Sequence, residues 1–186
     1  VFVLPRGHRI YVPDWDDLYT RAVETWVLRQ ERTERLNLDD KLKTVDPERI
    51  RMGIFVETAI QRECGAMMNF TCLDIAPCKM LGTDHGDGLT WVSGEEVDVK
   101  FKEINYEMMM LKEIKNFPNP RLFLPWNVFA GADYDTQLVT IWGAGHRDWI
   151  ELDEHRGWSP SWVIPRKRLV DVHLLSADTQ GNPTLF

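Results

Sequence analysis

Cysteine is scarce: Cys64, Cys72 and Cys78 are the only three in 186 residues. An odd number at loose spacing does not make a disulfide framework. The close C-x2-C pairs of zinc ribbons are missing too. Three reduced, mostly buried thiols are therefore expected, with a zinc site from Cys64, Cys72, Cys78 and His85 as the alternative. No apolar run approaches the ~20 residues of a membrane span. No basic segment followed by an apolar stretch marks a signal peptide. The expected location is intracellular: cytoplasmic, or the host cytoplasm for a viral protein. Positive charge is the minority sign, with 22 Lys and Arg against 29 Asp and Glu and a formal net charge of -7. That excludes coating of nucleic acid by bulk attraction, and leaves room for a carboxylate site that holds a metal ion. Serine and cysteine nucleophile motifs are absent. Gly143-Ala144-Gly145-His146 falls short of the six-residue glycine fingerprint of a dinucleotide site.

What is present is globular. Hydrophobic residues make up 44% and charged residues 27%, a balance that argues against intrinsic disorder. Eight Trp suggest a well-filled core or an aromatic contact surface, though nothing singles out one of them. The length fits one domain. Within it we distinguish an N-terminal helical part (1–45), a core (about 46–142) and a C-terminal extension (143–186).

Asp14 has the character of a helix N-cap, and Trp15, Leu18, Tyr19, Ala22, Val23, Trp26 and Val27 follow at helical spacing. A helix from about 15 to 35 is predicted. The mixed-charge run from Arg29 to Lys43 reads as a solvated face and linker. Asp46-Pro47 is a cap followed by proline at the first helical position, so a second helix should run to about Ala66. Ile50, Ile54, Glu57, Gln61 and Cys64 share one face of it. Short strands are expected at 70–75, 89–92 and 96–102, a third helix at 104–115, and strands near 121–129, 137–142 and 169–175. Residues 143–168 show little periodicity, and the pattern suggests no second hydrophobic core. This order implies an α/β or α+β domain with a central mixed sheet flanked by helices.

The chemistry concentrates in Asp87 to Lys102. In a strand over 96–102, Val97, Val99 and Phe101 point one way, and Glu96, Asp98, Lys100 and Lys102 the other. If Ser93-Gly94 makes a two-residue turn, Val92 pairs with Glu95, Leu89 with Asp98 and Asp87 with Lys100. Asp87, Asp98 and Lys100 then share a face. Two carboxylates beside a lysine suit a hard cation such as Mg2+. Such an ion activates water and polarises a phosphodiester. Glu57 is the best-placed third carboxylate.

These residues resemble the PD-(D/E)XK nuclease superfamily: Asp87, ten intervening residues, then Asp98-Val99-Lys100 in a strand, behind a helix that bears Glu57. The pattern [Asp/Glu]-x-Lys occurs three times, at Asp39/Lys41, Asp98/Lys100 and Glu113/Lys115. Only the second falls in a predicted strand. Gly86 replaces the proline of the family name. The resemblance implies a restriction-endonuclease-like core and a Mg2+-dependent DNA nuclease in which Mn2+ can substitute. Asp87, Asp98, the Val99 carbonyl and Glu57 would hold the metal, and Lys100 would act on the water. It also implies a homodimer for double-strand cutting, as in many relatives. Phosphate contacts are expected from Lys102, Lys112, Lys115 and Arg121, and from Arg166-Lys167-Arg168. The competing reading is a non-catalytic module: a nuclease-like fold serving DNA binding, or an unrelated structural protein with a charged outer face on a hairpin.

Overall fold

A computed structural model of the chain describes residues 1–35, 46–65, 89–103, 107–114, 118–154 and 159–175. The first two of the three predicted helices are present. Helix α1 spans Trp15–Arg35. The Asp14 carbonyl accepts from Leu18 N at 3.0 Å, and its carboxylate takes both terminal nitrogens of Arg62 at 2.7 and 3.0 Å. This clamp lowers the Asp14 pKa, chiefly through the Arg62 hydrogen bond. It ties the start of α1 to the end of helix α2, Pro47–Glu63. Asp46 caps α2 by accepting from Glu48 N at 3.0 Å. The helix stops three residues before the expected Ala66: Cys64 closes it and Gly65 takes φ +64.

Nine strands accompany the helices among the described residues: β1 (Phe2–Leu4), β2 (Arg9–Tyr11), β3 (Val97–Phe101), β4 (Met108–Glu113), β5 (Trp126–Asp133), β6 (Leu138–His146), β7 (Glu151–Asp153), β8 (Ser161–Pro165) and β9 (Val172–Leu174). The main sheet has the order β2-β6-β5-β3, a second has the order β4-β8-β7, and β1 pairs with β9. The main sheet is mixed, because β3 runs parallel to β5 while β5 and β6 are antiparallel. The chain is thus of the α+β class. β1 pairs with β9, far along the chain, and β2 joins the main sheet through β6.

Two cores follow from the alternation of side chains. Val97, Val99, Val128, Ala130, Val139 and Ile141 pack with Phe55, Ile60 and Trp15 from the helices. Phe129 points the other way and joins Met109, Leu111 and Ile164 from the second sheet, with Leu169 and Phe123. Helices therefore cover one face of the main sheet and a three-stranded sheet covers the other. This places the helices expected to flank the sheet on one face of it, and corrects the expectation of no second hydrophobic core.

It also corrects the helix expected at 104–115. The run Met108 to Leu111 is too short to separate period 3.6 from period 2. Here Met109 and Leu111 are both buried, the alternation of a strand, and β8 supplies the pairing partner. The same brevity hid β7 and β8 inside 143–168. The strand expected at 70–75 lies outside the described residues.

The hairpin before β3 differs by one residue from the expected register. Thr90 opposes Glu96, and Trp91 N donates to Glu95 O at 2.8 Å while Val97 N donates to Leu89 O at 3.2 Å. Three residues, Val92-Ser93-Gly94, make the turn, with Gly94 at φ +92. Leu89 consequently opposes Val97 rather than Asp98, and both are buried. The pairing that carried Asp87 onto the face of Asp98 and Lys100 fails at its turn; Asp87 itself lies outside the described residues. A side chain at Gly94 would be strained in this left-handed conformation. We expect Gly94→Ala to lower unfolding free energy by about 1–2 kcal/mol, measured by urea denaturation; an unchanged midpoint would refute the turn.

Candidate active site

Strand β3 supplies the charged pair. Its neighbour in the sheet is β5, with Asp98 beside Asn127 and Lys100 beside Phe129. Val97 and Val99 enter the helix-side core, so Asp98 and Lys100 stand on the opposite face with Asn127 and Phe129. The Lys100 ammonium pairs with Asp98 Oδ2, and the two side chains are only 16% and 11% exposed. A pair this enclosed differs in kind from a solvated surface ion pair.

The backbone of β3 is divided between its two edges. Lys102 N donates to Ala130 O in β5 at 2.8 Å, while Val97 N donates to Leu89 O. Even-numbered residues thus turn their peptide groups toward β5. Odd-numbered ones, Val99 among them, turn theirs to the other edge. The carbonyl that the resemblance assigns to a metal points away from β5.

Lys102 follows directly after β3 and is buried. Among the described residues it has no carboxylate partner. Burial pushes its pKa from 10.5 down to about 8, helped by the positive charges of Lys100 and Arg49 and opposed by Asp98. Arg49, from the first turn of α2, pairs with Glu103 at 3.6 Å just beyond β3. Lys102 is therefore an interior cation, not the surface phosphate contact expected of it.

Glu57 is half-buried on α2 and accepts from Gln61 Nε2 at 3.3 Å. Gln61 is itself buried, so the helix face holds a polar strip beside its apolar one. The structure brings Asp98 and Lys100 together directly. Among the described residues no group of three His, Cys, Asp or Glu side chains could hold a metal ion. Cys64 is buried and its thiol is pushed up to about 12, mainly by burial and then by Glu63, so it is inert at neutral pH. Cys72, Cys78 and His85 lie outside the described residues.

Asn127 escaped the sequence reading. It is fully buried, and its Nδ2 donates to Leu124 O at 3.1 Å. Its Oδ1 has no hydrogen-bond partner among the described residues. An asparagine between Trp126 and Val128 in a strand was the available signal, since asparagine is depleted in strands.

The aromatic residues also sort themselves. Trp91 stacks on Trp126 with centroids 3.7 Å apart, and His146 and Trp149 meet Trp126 edge-on at 5.0 and 5.6 Å. Glu95 accepts from Trp126 Nε1 at 2.9 Å and Ser93 Oγ at 2.7 Å. Those bonds, the Ser93 one foremost, lower its pKa. This cluster pins the hairpin to the start of β5, one residue before Asp98 and Asn127.

Of the other basic residues, Arg121 is exposed on a short 3-10 helix, Pro120–Leu122. Arg166, Lys167 and Arg168 form another between β8 and β9. Arg166 is half-buried and Lys167 exposed; Arg168 pairs with Glu151 at 2.7 Å. Lys112 lies in β4, and Lys115 lies outside the described residues. Among the described residues no helix is long and apolar enough to cross a membrane. Compared with protein-family models, curated proteins and solved structures, the chain matches none.

Proposed function

We propose that the chain is a metal-dependent deoxyribonuclease with a PD-(D/E)XK-type site built on β3. The observation that carries this reading is the enclosed Asp98–Lys100 pair at alternate positions of one strand, flanked by the outward-turned peptide of Val99. A purely structural ion pair in such a place is a poor source of stability, because desolvation offsets the attraction. The oxygen donors here, a carboxylate and a peptide carbonyl, are of the kind a hard divalent cation takes. The resemblance would add Asp87, which lies outside the described residues, and Glu57, although α2 covers the face of β3 opposite Asp98. When bound, Mg2+ or Mn2+ supplies Lewis acidity toward a phosphodiester and a more acidic water. Asp98 orients the cation, and Lys100 holds the attacking water and offsets negative charge that builds on the phosphoryl oxygens.

A restriction-endonuclease-like core belongs to the same proposal. Its support is the order α2, then β3, with the parallel neighbour β5 reached by a crossover. That crossover contains strand β4 where the resemblance implies a helix, so the core would be a divergent one. DNA binding, a homodimeric state and an intracellular location are proposals of equal standing. The non-catalytic reading has one observation in its favour: Asp98 is already engaged by Lys100.

The test is cleavage of linear, nicked, branched and single-stranded DNA with Mg2+ or Mn2+. We expect metal-dependent hydrolysis that falls by about 10²–10³-fold in Lys100→Ala and vanishes in Asp98→Ala. Equal rates in all three proteins would remove the site.

A further inference from the structure

Asn127 stands beside Asp98 in the parallel register of β3 and β5. Its flanking residues, Trp126 and Val128, pack with the helix-side core, so Asn127 shares the face of Asp98 and Lys100. Its amide group is committed to Leu124 O. That fixes the carboxamide and leaves Oδ1 buried without a donor among the described residues. A buried acceptor left unpaired is unfavourable, and such an atom calls for an explanation in terms of a state in which it is paired.

The donors on this face include Lys100, Lys102 and Trp142 Nε1, the last lying against Gly131. Lys102 is level with Gly131, two alternations away along β5, and its backbone pairs there. Lys100 is one alternation away, a diagonal neighbour of Asn127, at a separation that long side chains bridge. In the structure the Lys100 ammonium is held by Asp98. The outward-turned Val99 peptide places any cation shared by Asp98 and Val99 on the edge away from β5. Asn127 lies on the edge toward β5. A cation that takes the Asp98 carboxylate from the outer side leaves the ammonium in need of an acceptor on the inner side.

We infer that Asn127 Oδ1 is the acceptor that receives the Lys100 ammonium when a divalent cation takes the Asp98 carboxylate. Asn127 is thus a positioning residue for Lys100; this rests on the metal-site reading above. The arrangement keeps the lysine held in both states: by a carboxylate before the cation arrives and by a carboxamide afterwards.

The experiment observes the lysine ammonium groups of the full chain by 15N NMR, with and without Mg2+, alongside Mg2+ binding by calorimetry. Wild type, Asn127→Leu, Asn127→Ser and Asn127→Asp are compared, with Asp98→Asn as the metal-site control. A hydrogen-bonded, slowly exchanging Lys100 signal is expected without Mg2+ in wild type and in all three Asn127 variants. With Mg2+ it should persist in wild type and Asn127→Asp and be lost in Asn127→Leu and Asn127→Ser. These last two should also bind Mg2+ about tenfold more weakly. Asn127→Ser covers the case in which the leucine variant does not fold. Persistence of the signal in the leucine or serine variant with Mg2+ overturns the inference but leaves the metal site standing. Absence of Mg2+ binding that depends on Asp98 in wild type overturns both.

Discussion

Lys102→Met should make the protein more stable at pH 7, by up to about 3 kcal/mol. The side chain is buried, and its pKa falls from 10.5 to about 8. At ~1.4 kcal/mol per unit, that drop corresponds to about 3 kcal/mol of penalty on the charged form. Methionine keeps most of the apolar stem and removes the charge. For a chain of this size the melting temperature should rise by roughly 6–12 °C. The sign with pH follows from linkage. Between about 8 and 10.5 the unfolded lysine holds its proton more firmly than the folded one. Wild-type stability therefore rises with pH across that window, and the variant lacks this slope. Urea denaturation of both proteins at pH 7 and pH 10 checks the prediction. A variant no more stable than wild type at pH 7 would refute the burial penalty on the charge.

Arg49, Lys100 and Lys102 bring three positive groups to the end of β3, all contributing to one field. Among the described residues, Asp98 and Glu103 are the carboxylates paired with members of that group. The surplus is positive in a protein whose overall balance is -7. Charge composition thus says little about this locality, whose own sign suits a polyanion.

Much of the scaffold was legible in the sequence because long elements carry their own signals. Helix α1 repeats its apolar positions over several turns, and Asp46-Pro47 marks the start of α2. The Val97, Val99, Phe101 alternation identifies β3, and with it the shared face of Asp98 and Lys100. Short elements were not legible. Strands β4, β7 and β8 contain six, three and five residues, and only their mutual pairing reveals them. The hairpin shows how a local choice propagates. Gly94 at φ +92 makes the loop three residues long, and a shift of one residue exchanges the faces of every partner. Asn127 and Lys102 were read incompletely for a related reason. A polar residue inside a strand is visible in sequence, but whether it is buried depends on the layer that covers it. That layer is the second sheet, the part of the fold with the weakest local signals.

Lys100→Met separates the catalytic reading from the structural one most sharply. Removing the ammonium leaves the Asp98 carboxylate, 11% exposed, without its partner in a desolvated place. Loss of one member of a buried pair destabilises by about 3–5 kcal/mol. In the double variant Asp98→Asn/Lys100→Met neither charge remains, and stability should return to within about 1 kcal/mol of wild type. Mg2+ then distinguishes the two readings. If the cation binds Asp98, it meets a competing ammonium in wild type and none in Lys100→Met. The single variant should bind Mg2+ more tightly and regain stability as the ion is added, by about 2.7 kcal/mol at a hundredfold excess over its dissociation constant. DNA cleavage should stay depressed by 10²-fold or more at the same Mg2+ concentration, because the group that holds the water is gone. An ion pair with only a structural role predicts the destabilisation without the rescue. Thermal melts of wild type and both variants across a Mg2+ titration make the comparison. A single variant that is destabilised yet indifferent to Mg2+ would assign Asp98 and Lys100 to the scaffold and not to a metal site.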